Sequence, residues 1–303
     1  MKKRLYVFLL LFFVLFISGC GSAHETFMKA VDKTGNIQKG KSSIALQLKM
    51  EGVPDLEDGQ LFSLEKMTVN HEYDRGEEIS KSVVYASINH VGLDFTIYEG
   101  RDNTIVTSPL LPKLLVLNKE SIEPLGEASF GAQISLESEM EQDLAVIWHR
   151  LLTDESVSRL GSVIVTTPDG DVKGKEFEIR LTSDQLKPAI LETMDLYIQA
   201  NMKHFSSEES FEKNIEQLRE RIETSEIGPV SYYAYIDRDQ YIIEEKLSAV
   251  MTFSDGLSIF INFQLQRHDL EKDVSISRPV MTEENVITAN EFLIEGDFEF
   301  FRR

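Results

Sequence analysis

Apolar and polar residues alternate along much of this chain, which predicts a sheet with one greasy and one wet face. Ile44, Leu46, Leu48 and Met50 alternate with Ala45, Gln47 and Lys49. Met67, Val69, His71 and Tyr73 share a face, as do Val91, Leu93, Phe95 and Ile97. Val83 to Ile88 reads as a strand between them, and Ile105 to Thr107 as a short one before Pro109 and Pro112. Pro54-Asp55, Asp58-Gly59, Asp74-Arg75-Gly76 and Asn89 to Gly92 carry turn chemistry. The last block is the plainest. Tyr241, Ile243, Leu247, Ala249, Met251 and Phe253 are all odd-numbered, and so are Leu257, Ile259, Ile261, Phe263 and Leu265. A two-residue Asp255-Gly256 loop would set odd against even and mix the faces. A three-residue loop, Ser254 to Gly256 with Gly256 left-handed, pairs Phe253 with Leu257 and Met251 with Ile259.

Elsewhere the period changes to that of a helix. Phe27, Ala30 and Val31 fall on one side of a helix within 20–40. Met140, Leu144, Ile147, Trp148, Leu151 and Leu152 predict a helix near 137–160, acidic at its front and stopped by Gly161. A hairpin follows, with Val163 to Thr166, the turn Pro168-Asp169-Gly170, and Phe177, Ile179 and Leu181 on the return. Thr182 and Gln185 have capping-box spacing before a helix near 184–204 bearing Leu186, Ile190, Met194, Ile198 and Met202. Pro188 falls in its early turns, where a missing amide costs least. A helix near 207–224 carries Phe211, Ile215, Leu218 and Ile222, with Gly228-Pro229 to end it, and a short helix is expected from Thr282. Strands, helix, hairpin, two helices and strands again make an α+β chain, unlike the alternating βα units of a periplasmic solute-binding protein. The expected fold is a strongly curved antiparallel sheet, an incomplete barrel, covered by a few helices. One domain spans 41–303.

The start of the chain is different. Lys2, Lys3 and Arg4 precede thirteen apolar residues, Leu5 to Ile17, and Ser18-Gly19-Cys20 follows. The run is short of the roughly 20 residues of a membrane span and reads as a secretory signal, 1–19. Ile17-Ser18-Gly19-Cys20 resembles the lipobox of bacterial lipoproteins, with isoleucine where leucine is common. That resemblance implies that the thiol of Cys20 takes a diacylglyceryl group and becomes the new N-terminus. Two acyl chains hold a protein to a bilayer stably where one does not. The expected location is extracytoplasmic, anchored by lipid. The alternatives are an ordinary signal peptide or an uncleaved anchor.

Charge and chemistry narrow the function. The formal charge is −20, and loss of Lys2, Lys3 and Arg4 deepens it. Such a surface repels nucleic acid. Cys20 is the only cysteine, so no disulfide staples the chain and thiol catalysis has no candidate. His24, His71, His90, His149, His204 and His268 share no metal-binding spacing, and there is no GxSxG elbow or phosphate loop. No catalytic residue, metal or cofactor is expected. Asp169, Asp171 and Gly174 imitate a calcium loop, but Lys173 and Arg180 stand where oxygen ligands belong. Asp237, Asp239, Glu244 and Glu245 read as a solvated hairpin end or a weak calcium site. Tyr232, Tyr233 and Tyr235 pack structurally or grip a ligand.

The block Ser231 to Arg267 with Pro279, the helix pair before it and the Gly170-to-Leu181 strand resemble the lipoprotein-carrier superfamily, which includes the outer-membrane lipoprotein carriers and the mycobacterial lipid-binding lipoproteins. The resemblance implies a curved sheet, greasy on its concave side and plugged by helices, that binds acyl chains without catalysis. Leu247, Ala249, Met251, Ile259, Ile261 and Phe263 are the expected ligand-facing residues. Met50, Met67, Met194, Met202 and Met251 suit an adaptable slot or an ordinary core. The other reading is a lipoprotein that docks an envelope protein through its acidic surface.

Overall fold

The structure, a computed structural model, describes residues 22–52, 64–88, 90–118, 138–205, 209–288 and 291–292. The signal run, Cys20 and the Pro54 to Gly59 turn lie outside them, as do the side chains of Met202, His204 and Phe211. Helix α1 (Ala23–Gly35) starts where Ser22 Oγ accepts the Glu25 amide at 3.1 Å, and Glu25 and Lys33 suit the two ends of its dipole. Six strands follow: β1 (Lys39–Glu51), β2 (Leu64–Asp74), β3 (Ile79–Ile88), β4 (Val91–Glu99), β5 (Asn103–Thr107) and β6 (Leu114–Asn118). Then come α2 (Ser138–His149), β7 (Val157–Thr167), β8 (Gly170–Leu181), α3 (Ser183–Phe205) and α4 (Glu209–Thr224). The chain continues through β9 (Glu226–Ile227), β10 (Val230–Asp237), β11 (Ile242–Thr252), β12 (Ser258–His268) and β13 (Val286–Thr288).

All these strands join one open sheet in the order β13-β6-β5-β4-β3-β2-β1-β12-β11-β10-β8-β7, with β9 beside β11. Two of the alternating blocks of the sequence meet at its centre. β1 pairs antiparallel with β12, from Lys41 opposite His268 to Glu51 opposite Ser258. Ile44, Leu46, Leu48 and Met50 thereby stand beside Leu265, Phe263, Ile261 and Ile259.

The β11–β12 turn has the expected three-residue loop. Met251 faces Ile259, the Phe253 amide donates to the Leu257 carbonyl at 2.8 Å, and Gly256 has φ +89. Gly52, at φ +77, lies against this loop. A β-carbon there would come within 2.2 Å of the Gly256 carbonyl oxygen. Gly52→Ala is expected to cost about 1–3 kcal/mol, read as a lowered urea midpoint with an unchanged slope.

Several expectations are corrected. The helix near 137–160 ends at His149, and Gly161 sits inside β7 at a register shift. Ser156 Oγ donates to the Leu151 carbonyl at 2.9 Å and accepts the Thr153 amide at 2.7 Å, which turns the chain before the β-branched run begins. α4 ends at Thr224, ahead of Gly228-Pro229, with β9 between. Thr282 opens a turn rather than a helix, and β13 follows, running parallel to β6, so the sheet is mixed at that edge. Strand β6 lies where the sequence pattern predicts no element. At Thr182 the reach-back half of the capping box forms, with Gln185 Oε1 accepting the Thr182 amide at 2.9 Å.

The sheet curls. Gln266 on β12 donates to the Thr166 carbonyl on β7 at 2.8 Å, although β11, β10 and β8 lie between them. Flat, those four steps would span roughly 19 Å. The Asp269 amide also reaches Asp169 Oδ2 at 3.1 Å. Lys272 and Lys41 flank Asp269 and hold its carboxyl below the usual range. The curl brings the β7–β8 hairpin across the face opposite the greasy rows, where Val165, Tyr235 and Ile243 are buried. Ile243 therefore leaves the face it was assigned. It is the extra residue of a bulge, because Tyr235 pairs with Glu244 and Ile236 with Ile242.

Candidate functional site

Helices cover only part of the greasy face. Phe27 and Ala30 of α1 pack on Val157, Phe177, Ile179, Ala234, Ile236 and Ile242. Ile147 of α2 and Leu151 just past its end, with Leu186 and Ala189 of α3, close over Ile227, Leu181, Val230 and Met251. Among the described residues, neither cluster draws a member from β12, β1 or β2.

Beyond these clusters the same face continues uncovered by them. Phe263 is flanked by Leu247 and Leu46, Leu46 by Met67, Met67 by Ala86, and Ala86 by Leu93. The next row runs Leu265, Ile44, Val69, Val84 and Phe95. Ala249, Ile261 and Leu48 make another. Only Val84 and Ala86 among these are buried, and the rest keep partial exposure. All six expected ligand-facing residues lie on this face, in the pairs Leu247–Phe263, Ala249–Ile261 and Met251–Ile259. Met251 differs from the others in packing under the helices. Met50 and Met67 share the face as well.

One end of the face is polar. Ser42 lies between Arg267 and His71, and His71 pairs with Ser82. Arg267 Nη1 stands 2.5 Å from Glu245 Oε2 and donates to the Ile242 carbonyl at 3.2 Å. Tyr232 donates its hydroxyl to Glu245. Burial, then the Glu245 carboxylate, raises the Tyr232 pKa far above that of a free phenol. His71 Nδ1 is 2.9 Å from Ser82 Oγ, and its ring stacks on Tyr73. Burial holds the His71 pKa below the ordinary histidine value. Arg267 and Glu245 continue the odd-numbered alternation of their strands. That parity was the signal that could have marked them.

The depressed His71 pKa fixes a pH dependence. Below about pH 6.5 the unfolded chain takes up a proton that folded His71 resists, so stability falls with acidification in that window. His71→Gln is expected to flatten this slope, read from urea midpoints at about pH 7.5 and 5.

Other sequence candidates are drawn apart. Tyr232 faces the greasy side, whereas Tyr233 and Tyr235 join the cluster beneath the hairpin. Burial and Glu176 push the Tyr235 pKa up to about 12. Glu244 and Glu245 take opposite faces: Glu244 meets Lys246 at 3.0 Å and Gln264 at 2.6 Å. Asp237 accepts the Tyr241 amide at 2.8 Å, which makes it a turn residue. Among the described residues, no group of three or more His, Cys, Asp or Glu could hold a metal ion. No helix of the described residues is long and apolar enough to cross a membrane.

No protein-family profile matches the chain, and no curated protein does. Solved structures do resemble it. An uncharacterized conserved protein from Thermus thermophilus aligns at 8% identity over 86% of this chain and 98% of its own, with a TM-score of 0.28. A LolA superfamily protein from Nitrosomonas europaea aligns at 8% identity over 85% and 96%, TM-score 0.24. A beta-barrel-like protein of the DUF1849 domain from Brucella abortus aligns at 10% identity over 77% and 100%, TM-score 0.24. These superpositions are loose. The open curved α+β architecture stands on the strand order and register above.

Proposed function

We propose that this protein is a lipid-anchored, extracytoplasmic, non-catalytic binder of a hydrophobic ligand, held on the sheet face formed by β11, β12, β1 and β2. The observation that carries the reading is the row structure of that face: apolar side chains aligned across four strands, partly exposed, outside the helix-covered clusters. From Leu265 to Ile259 the strand advances roughly 20 Å, room for a long acyl chain. Each methylene laid on such a surface contributes about 0.8 kcal/mol. Arg267, Glu245, His71 and Ser42 would meet the ligand's polar end. Anchoring at Cys20 rests on the lipobox and would keep the face beside its source of lipid.

The chain from Ser22 onward, made without leader or anchor, tests the binding. Mass spectrometry of the purified protein under non-denaturing conditions is expected to show an acyl lipid bound in near-stoichiometric amount. Protein free of lipid, and unable to take up a fatty acid offered to it, would refute the reading.

A further inference from the structure

A groove of about 610 Å³ opens away from the greasy rows, between α1, the β7–β8 hairpin and the turn after β10. Its floor includes half-buried Val163 and buried Ile236, and its rim carries exposed Ile164, Lys173, Lys175 and Arg238. Lys173 and Lys175 are two apart on β8 and project to one face, with Ile164 and Ser162 opposite them on β7. The three cations are exposed, and none has an ion-pair or hydrogen-bond partner among the described residues. In a chain of charge −20, Lys39, Lys41 and Arg101 are each matched to an acid, whereas Lys66 and Arg159 are, like the groove cations, exposed without such a partner among the described residues. The one acid of the lining, Asp237, spends its carboxylate on the Tyr241 amide. On the same edge strand, Leu160 and Ile164 are 50% and 60% exposed.

The position of this patch selects its partner. Thr26, in the first turn of α1, lines the groove. Cys20 precedes it by six residues, of which the stretch from Ser22 is helical or capping. The chain geometry keeps the two α-carbons within about 13 Å of each other. Resting on the reading of Cys20 as the lipidated residue, we propose that the Lys173–Lys175–Arg238 rim docks on the anionic phospholipid headgroups of the bilayer that holds the anchor, with Ile164 entering the interface. Screening over about 8 Å lets the local cations act despite the acidic remainder of the surface. Docking would set the orientation of the sheet on the membrane, which the flexible lipid tether alone does not.

The test uses the full lipidated chain reconstituted in vesicles of phosphatidylcholine alone or mixed with phosphatidylglycerol. The Cys20 sulfur is blocked by its lipid, so Ile164→Cys supplies a single thiol for an environment-sensitive fluorophore. Lipid-borne quenchers are expected to quench this probe about threefold or more strongly in the anionic vesicles, and high salt should remove the difference. Lys173→Glu with Lys175→Glu and Arg238→Glu should abolish it, whereas Lys173→Arg with Lys175→Arg should keep it, which separates charge from folding. Equal quenching in both vesicles, or a difference that survives charge reversal, would overturn the proposal and leave the groove to a soluble anion. Failure to float with any vesicle would sink the anchor reading, and the docking with it; flotation without charge-dependent quenching sinks the docking alone.

Discussion

Phe177→Ala is expected to destabilise the protein by about 3–5 kcal/mol, a large share of the roughly 5–15 kcal/mol that holds an ordinary domain folded. Phe177 has no exposed surface and sits in the middle of the cluster that joins α1 to the sheet. Its ring lies 6.2 Å from that of Phe27, and Val157, Ile179, Ala234 and Ile236 close around it. Three strands and a helix hold these neighbours in place, so the space vacated cannot collapse, and the cavity cost adds to the lost burial. Equilibrium urea unfolding checks the figure. A loss under about 1 kcal/mol would mean that α1 is not an integral part of the core.

Leu46→Glu should behave in the opposite way. Leu46 lies between Phe263 and Met67, at the centre of the uncovered rows, yet it is only partly buried. A carboxylate there can reach water, so the cost to folding is expected to be about 1 kcal/mol. The cost to a bound aliphatic chain is larger, because the charge must either be desolvated or hold water in the middle of the slot. Bound lipid is expected to fall about tenfold or more, equivalent to roughly 1.4 kcal/mol of binding at least. Paired measurements of lipid content and urea midpoint distinguish the outcomes. Lipid content that is unchanged, or that falls only in proportion to lost folded protein, would place the ligand elsewhere.

The contrast between these residues also shows what the sequence could reveal. Strict alternation in 44–50 and 247–265 announces a one-sided sheet, and parity alone chooses the three-residue loop at Gly256. The same parity, followed through Glu245 and Arg267, contains the polar end of the site. Bulges are not legible. One extra residue at Ile243 and another near Leu160 turn parity over, and nothing local in either segment announces the change. Gly161 looks like a stop for a long helix over Met140 to Leu152, whereas the chain is turned earlier by the side chain of Ser156. The pairing of β13 with β6 joins segments far apart in sequence, and three residues are too few for a period to show. The lipobox-like run before Cys20 and the groove cations are equally visible as residue types. Only the fold brings Lys173, Lys175, Arg238 and Thr26 to one rim.

On the proposed reading, an aliphatic ligand lies along β12, β1 and β2. The most direct measurement is photocrosslinking of the chain from Ser22 onward with a fatty acid carrying a diazirine in its tail, followed by peptide mapping. Labels are expected on peptides bearing Leu46, Met67, Ile261 and Phe263, and are expected to be lost in Leu46→Glu. Labels confined to the helices or to the β7–β8 hairpin, or none that an unlabelled fatty acid can compete away, would contradict it.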